Sequence, residues 1–157
     1  MATDNELQAL RLELCKAKNK ITELEESLLK QRANRDAENS LEKQRFVAIT
    51  DAQQDAIFSK DIFRNYTFVN PAMARFFKCP LRDFIGQRAE NIFSDGMRKV
   101  IDEIDELSLS GHSVDVVRDV LVGDERIILH IIQVPLWGED QAVEGVTGII
   151  RDVTKAN

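Results

Sequence analysis

The sequence contains few of the residues that mark disulfide-rich, metal-binding or membrane proteins. Its 157 residues include only two cysteines, two histidines, three prolines and one tryptophan. Cys15 and Cys79 lie far apart, without the close spacing of a metal site, which favours reduced thiols in a cytoplasmic protein. No apolar run approaches the roughly 20 residues of a membrane span, and no signal-peptide pattern is present. These absences argue against a disulfide scaffold and against insertion into a membrane.

Positive charge is scarce where a nucleic-acid-binding domain would need it. Residues 1–45 carry nine acidic and nine basic side chains, and the later residues carry 18 acidic and 12 basic. The whole net charge of -6 therefore lies after residue 45. Nucleic-acid affinity depends on clusters of Lys and Arg that contact phosphates. The charge distribution therefore argues against a nucleic-acid partner.

Motifs of common catalytic sites are also absent. There is no phosphate-binding Gly pattern, no HExxH and no GxSxG, and neither His has a nucleophile nearby in sequence. The paired acids Asp102-Glu103 and Asp105-Glu106 fall on a predicted long helix, and we interpret them as a solvated face. The sequence therefore predicts a chain that is not an enzyme and has no metal site.

The first 45 residues have no Gly, Pro or aromatic residue, and they carry a heptad pattern instead. The apolar residues recur at spacings of three and four: Leu7, Leu10, Leu14, Ala17, Ile21, Leu24 and Leu28. Such a narrow stripe is typical of a coiled-coil seam. In a parallel pair, opposite charges would face each other at Glu6 and Arg11, Glu13 and Lys18, and Lys20 and Glu25. The segment therefore predicts a parallel homodimer, whose exposed charge pairs select the orientation more than they stabilise it.

The heptad pattern fails after Leu28, where Gln31, Arg35 and Glu38 would occupy the seam. A second amphipathic stretch, LEKQRFVAI, follows with its apolar side rotated, and we expect it to lie on the next domain. The predicted division has four parts: a coiled-coil helix at 1–40, a flanking amphipathic helix at 41–55, a domain at 56–154 and the start of an outgoing linker at 155–157.

From residue 56 the pattern is that of an α+β domain. AIFSKD and YTFVN predict two short strands, and several short helices follow. SVDVVRDVLV, RIILHIIQVPLW and VEGVTGIIRDV predict an antiparallel three-stranded meander. On these strands both odd and even positions carry apolar residues, so both faces of the sheet must pack against other surfaces. The short helices can cover one face, and we expect the flanking helix or a partner subunit to cover the other.

The stretch FVNPAMARFF at residues 68–77 predicts a tight corner from strand to helix. Asn70 is among the preferred N-cap residues, because its side chain accepts hydrogen bonds from unpaired helix N–H groups. Pro71 suits the first helical position, where its missing N–H costs nothing.

Three segments in order resemble the PAS domain family. DAIFSKDIFRNYTFVNPAMARFF is similar to the opening of that domain, LRDFIGQRAENIF to its middle and GVTGIIRDVT to its closing strand, together covering about residues 41–154. The resemblance implies the PAS fold, a five-stranded antiparallel sheet with short helices that enclose a small cavity on one face. It also implies a sensory or dimerisation module that regulates an attached effector.

PAS domains bind several cofactors, and the residues that each cofactor needs can be sought in this sequence. Light-sensing flavin members carry a reactive Cys in a region that here reads QRAENIFSDGMR, which disfavours a photoactive flavin. The long-helix segment DGMRKVIDEIDELSLSG has no His to bind haem, and we interpret His130 as a packed or surface histidine. The cofactor stays unknown, and none at all is an open alternative. A non-covalent apolar ligand is possible in a pocket lined by apolar residues that could equally fill the core. These residues are Phe76, Phe77, Phe84, Ile92, Phe93, Met97 and Ile101.

RDVT at residues 151–154 resembles the closing motif of the family. There the Asp ties the last strand to the domain and the Thr starts an outgoing helix, so Asp152 and Thr154 are the expected signal-relay residues. We expect a cytoplasmic sensory module that dimerises and relays a signal through flanking helices to an effector, such as a histidine kinase or a diguanylate cyclase. A constitutive dimerisation or scaffold module without a ligand is the alternative.

Overall fold

The computed structural model describes residues 3–156 and begins with one long helix, α1 (Asp4–Asp51). A capping box starts it: the Thr3 amide donates to Glu6 Oε2 at 2.9 Å, and the Glu6 amide donates to Thr3 Oγ1 at 3.4 Å. From Asp4 to Asp51, the predicted coiled-coil segment and the predicted flanking segment thus form one continuous helix. Of the helices in the described part of the chain, none is long and apolar enough to cross a membrane.

The chain forms two compact units, one up to Phe46 and one from Val47 onward. The second unit confirms the predicted α+β architecture, with a five-stranded antiparallel sheet in the order β2-β1-β5-β4-β3. Its strands are β1 (Ala56–Asp61), β2 (Tyr66–Val69), β3 (Val114–Val122), β4 (Glu125–Trp137) and β5 (Val143–Asp152). The last strand of the chain therefore lies at the centre of the sheet, between β1 and β4.

Short helices connect β2 to β3 and lie on one face of the sheet. They are α2 (Pro71–Phe77), α3 (Leu81–Phe84), a 3-10 turn (Ala89–Asn91) and α4 (Asp95–Leu109). A second 3-10 turn, Thr154–Ala156, follows β5. The core lies between α4 and the sheet. Every second residue of a strand points into it, such as Ala56 and Phe58 on β1 and Leu129 and Ile131 on β4.

Asn70 caps α2 as predicted and also joins it to two other segments. Its Oδ1 accepts from the amides of Met73 at 3.1 Å and Ile57 at 2.9 Å. Its Nδ2 donates to the carbonyl oxygens of Thr50 at 2.9 Å and Asp55 at 3.0 Å. The side chain is fully buried, so all its polar capacity is satisfied by backbone. One residue thus fixes the end of α1, the start of β1 and the start of α2.

The two faces of the sheet differ in burial. On the inner face, the Phe58 ring lies over Gly148, where an added Cβ would come within 2.6 Å of Phe58 Cζ. On the outer face, Val117, Ile132 and Ile149 remain exposed at 56%, 37% and 39%. The apolar outer face inferred from the sequence is therefore present, and these side chains are only partly covered.

Candidate ligand-binding site

A pocket opens between α2, the start of α4 and the turn that joins β3 to β4. Its volume is about 160 Å³, and its lining is Phe77, Cys79, Ile92, Phe93, Ser94, Met97, Leu121, Val122 and Gly123. The rings of Phe77 and Phe93 meet edge to face, with centroids 4.8 Å apart. Sites for drug-sized ligands occupy roughly 300–1,000 Å³. This outer pocket therefore suits only a small, largely apolar molecule.

Met97 also lines a second cavity, which is enclosed between α4 and the sheet. This inner cavity measures about 10 Å³, which is room for about one water molecule. Each of its lining residues is at most 7% exposed: Phe58, Lys60, Tyr66, Met97, Ile101, Ile104, Ile131, Gln133 and Ile150. Met97 is the residue that the two linings share.

One end of the inner cavity is polar. Lys60 Nζ donates to Asp105 Oδ2 at 2.7 Å, and Gln133 Nε2 donates to Asp105 Oδ1 at 3.0 Å. All three residues are at most 2% exposed. Lys60 Nζ also lies 4.7 Å from the centroid of the Tyr66 ring and 5.3 Å from that of Phe58, distances at which a cation is attracted to a ring face. The charge pair thus connects β1, α4 and β4 inside the core.

Burial opposes the charge on Lys60, and its partner Asp105 offsets part of that effect. Desolvation lowers the pKa of the Lys60 ammonium, whereas the charge and hydrogen bond of Asp105 act in the opposite direction. Burial, and then the charge of Asp105, raises the pKa of the Tyr66 phenol. Because either charge alone would be buried without compensation, we expect the domain to tolerate loss of the pair better than loss of one member.

The predicted pocket residues do not all lie at one cavity. Phe77, Ile92, Phe93 and Met97 line the outer pocket, and Met97 and Ile101 line the inner cavity. Phe84 is fully buried and packs against the rings of Tyr66 and Phe93, with centroids 5.5 Å and 6.2 Å away. It lines neither cavity. Phe76 lies edge to face with Phe77 at 4.7 Å and faces a neighbouring groove.

That neighbouring groove reaches the predicted relay segment. It has a volume of about 600 Å³ and shares Phe77, Val122 and Gly123 with the outer pocket. Asp152, at the end of β5, and Arg75 of α2 also line this groove. The outer pocket and the end of β5 are therefore connected by one continuous wall, formed by α2 and the turn between β3 and β4.

Asp152 and Thr154 hold the end of β5 against β4. Asp152 Oδ1 accepts from the Thr154 amide at 2.9 Å and from the Thr154 hydroxyl. Thr154 Oγ1 accepts from the Ile128 amide at 2.9 Å, and the Val153 amide donates to the Ile128 carbonyl oxygen at 2.9 Å. The side-chain and backbone hydrogen bonds from Thr154 lower the pKa of Asp152. The exit of the chain from the sheet is thus fixed by local hydrogen bonds.

The predicted seam residues form an exposed stripe on α1. Each is between 44% and 58% exposed in the single chain: Leu7, Leu10, Leu14, Ile21, Leu24 and Leu28. Lys20, predicted to face Glu25 of a partner helix, lies 3.1 Å from Glu23 of its own helix. The stripe gives the first unit an exposed apolar surface.

The interpretation of Asp105 as part of a solvated face is wrong, because the residue is only 1% exposed. Its position follows from the helical period: Met97, Ile101 and Asp105 lie on one face of α4 at spacings of four. Lys60 and Gln133 share the parity of the inward residues Phe58 and Ile131 on their strands. The strand and helix periods are therefore sufficient to predict that these three polar side chains point into the core.

The remaining candidate ligands for metals are dispersed. His130 Nε2 lies 2.7 Å from Asp115 Oδ1, and His130 is a partly exposed residue of β4. Cys15 is exposed on α1, and Cys79 is partly buried at the outer pocket. Desolvation, and then the charge of Asp83, raises the pKa of the Cys79 thiol. Residues 3–156 contain no group of three or more His, Cys, Asp or Glu residues arranged to hold a metal ion.

Comparison with protein families gives one match over most of the chain. Residues 50–157 match the family described as PAS fold. A curated relative, the methanogenesis regulatory histidine kinase FilI of Methanothrix harundinacea (strain 6Ac), is 35% identical over 116 residues, 73% of this chain. The chain spans only 13% of the length of that relative.

Solved PAS domains share the fold at low sequence identity. The PAS domain of a Colwellia psychrerythraea protein superposes with a TM-score of 0.61 and is 23% identical, with 73% of this chain and 98% of that chain covered. The PAS domain of Bordetella pertussis BvgS gives a TM-score of 0.59 at 18% identity, with 74% and 88% covered.

Proposed function

This chain belongs to the PAS-fold family, and we propose that it is the sensory region of a dimeric cytoplasmic signalling protein. A small molecule in the outer pocket changes the position of α2 and of the turn between β3 and β4. The change reaches the end of β5 and the flanking helices, which relay it to an effector. Likeness to part of a histidine kinase supports a sensory signalling role, and a histidine kinase or a diguanylate cyclase is the effector we propose.

The observation that carries the proposal is the wall common to the outer pocket and the groove. Phe77, Val122 and Gly123 line both, and the groove extends to Asp152. A ligand that pushes on this wall acts on the segment through which the chain leaves the sheet. Because a ligand shifts two states only by its differential affinity for them, the relay requires two arrangements of this wall with similar free energies.

Dimerisation through α1 supplies the second part of the proposal. The exposed stripe from Leu7 to Leu28 is the apolar surface that a second copy would bury. The three opposite-charge pairs favour a parallel arrangement. The polar positions Gln31, Arg35 and Glu38 interrupt the seam before the second unit begins. We propose that this interruption is the flexible joint at which the two helices change their separation.

A spin-label experiment tests the dimer and the relay together. A nitroxide at Asn34→Cys, in a chain with Cys15→Ser and Cys79→Ser, reports the distance between protomers at the joint. A label at Asn5→Cys in the same background tests the orientation. A parallel pair gives one short distance at position 5, and an antiparallel pair gives a long one, since about 25 residues of helix at about 1.5 Å each would separate the labels.

The ligand part is tested by native mass spectrometry and visible absorption of the purified chain. A co-purified small molecule supports sensing if its removal changes the distance distribution at position 34 and its return restores it. A single, unchanging distribution with no bound molecule would instead support a constitutive scaffold. The inner cavity of about 10 Å³ favours that second candidate, because a well-filled core needs no ligand for its stability.

A further inference from the structure

The polar end of the inner cavity has hydrogen-bonding capacity that the chain does not use. An ammonium group has three N–H donors, and Lys60 Nζ donates one hydrogen bond, to Asp105. Gln133 Nε2 donates to Asp105, and its Oε1 accepts no hydrogen bond from residues 3–156. Both residues are at most 2% exposed. The cavity wall therefore holds a spare donor and a spare acceptor, side by side with apolar groups.

Met97 separates this polar end from the outer pocket. It is 1% exposed and lines both cavities, whereas Ile92 lines only the outer pocket and Ile104 only the inner cavity. Met has three rotatable side-chain bonds and a soft thioether, so it changes rotamer at low cost. A rotation of this side chain would join the outer pocket to the inner cavity.

We infer that the two cavities are halves of one ligand site, that Met97 is the gate between them, and that the site selects a small neutral molecule with a hydrogen-bonding head. The head would accept a hydrogen bond from Lys60 Nζ and donate one to Gln133 Oε1. An apolar or aromatic body would extend past Met97 toward Phe77 and Phe93. The inference deepens the proposed function and rests on it, since it names the class of molecule to be sensed.

The buried charges of Lys60 and Asp105 disfavour an ionised ligand. Lys60 and Asp105 already neutralise each other at 2.7 Å inside the core. A carboxylate ligand would place a second negative charge beside Asp105, and a cationic ligand would face the Lys60 ammonium. A buried charge without a partner is strongly disfavoured. A neutral hydroxyl, which can donate and accept, matches the spare groups without adding charge.

Three ring compounds with different heads test the selection in the complete chain. Phenol carries a neutral hydroxyl, toluene has no polar head and benzoate is charged. With ¹³C-labelled Ile and Met methyl groups, phenol is expected to give nuclear Overhauser contacts to Ile104 as well as to Ile92. It is expected to bind about 5- to 10-fold more tightly than toluene, the effect of one net hydrogen bond. Benzoate should not reach Ile104. Met73, which is fully buried and lines neither cavity, is the internal control.

Two sets of variants identify the groups responsible. Replacing the pair together, Lys60→Met with Asp105→Leu, should abolish the preference for phenol over toluene. Met97→Ala should raise the association rate of phenol about tenfold or more, because it removes an opening step populated at about 10% or less. Leu107→Ala, at an exposed residue of α4 that lines neither cavity, is the matched control and should leave that rate unchanged.

The inference is overturned if phenol contacts Ile92 but not Ile104, if phenol and toluene bind equally, or if benzoate binds as well as phenol. The contact experiment uses the unmodified chain, so it stands even if the double variant fails to fold. Failure of the proposed function has a different signature. Phenol would then occupy both cavities as expected, while the distance between protomers at position 34 stays the same.

Discussion

The two units of this chain carry similar apolar side chains and bury them differently. Of the 48 residues of α1, only Thr50 is buried, and the leucines of the heptad stripe remain exposed. The second unit encloses its apolar residues between α4 and the sheet, together with an ion pair and a glutamine. Most helices in proteins are stabilised by tertiary packing rather than by intrinsic propensity. The second unit therefore has a core of its own, whereas the first unit would gain such packing from the second chain that we propose.

The largest effect should follow from breaking the buried pair in the second unit. Asp105→Leu leaves the Lys60 ammonium buried and unpaired, at an expected cost of about 3–5 kcal/mol in the free energy of unfolding. Lys60→Met added to the same chain should restore most of that loss, since no charge then remains. Urea unfolding followed by the fluorescence of Trp137, the single tryptophan, measures both. Asp102→Leu on the same helix, at a side chain 47% exposed, should cost much less; equal losses in the single and double variants would contradict the expectation.

The next effect concerns the first unit alone. Leu14, in the stripe, and Leu12, outside it, are 56% and 58% exposed in the single chain, so they form a matched pair. Leu14→Ala should weaken the dimer by about 2–3 kcal/mol, at the low end for large-to-small changes because seam positions stay partly exposed. Leu12→Ala should leave it intact. Sedimentation equilibrium decides, and equal dissociation constants for the two variants would show that the stripe is not a seam.

A smaller effect is expected at the corner where Asn70 joins the end of α1, the start of β1 and the start of α2 within the second unit. Asn70→Ser keeps a cap for α2 but loses the bonds to Thr50, Asp55 and Ile57, and buried groups left unsatisfied cost about 1–3 kcal/mol. Asn70→Ala loses the cap as well, for about 0.5–2 kcal/mol more. Hydrogen exchange should find the Met73 amide better protected in the Ser variant than in the Ala variant, where only its hydrogen bond to the backbone carbonyl oxygen of residue 70 remains. If Asn70→Ser unfolds at the same urea concentration as the unmodified chain, the tether contributes nothing.

The smallest effect is expected at the end of β5. Thr154→Val removes the acceptor of the Ile128 amide, for about 0.5–1.5 kcal/mol. It also removes the hydroxyl that helps to lower the pKa of Asp152, so that pKa should rise toward its usual value. A carboxylate with a lowered pKa in the folded state stabilises above its unfolded pKa and loses that contribution as pH falls through the folded value. The stability difference between the two chains should therefore shrink in acid. A titration of Asp152 by NMR that is identical in both would refute this.

Several features were predictable from the sequence because they depend on neighbours along the chain. The helix of the first unit follows from the absence of Gly and Pro, and its stripe from a spacing of three and four. The corner at Asn70 and Pro71 follows from the needs of the first helical turn. The order of the last three strands follows from the turns between them, since antiparallel neighbours are joined by short connections.

Other features could not be predicted in this way because they depend on contacts between distant residues. The central place of β5 brings Gly148 against Phe58, a contact between residues far apart in the chain. Asp105 was assigned to a solvated face because its neighbours in sequence are acidic. Only the approach of α4 to β1 and β4 brings it to Lys60 and Gln133. The predicted pocket residues are likewise divided between two cavities, and this division depends on where the fold places Met97.

The sequence by itself determined the period of each region, because side-chain direction follows from the local backbone: heptads in α1, alternation in the strands and the cap at Asn70. The tertiary structure decided which of those faces meet. It placed Lys60, Asp105 and Gln133 together in a closed core, where a charge is stable only with a partner. It left the stripe of α1 exposed, since the side chains of one straight helix cannot bury one another.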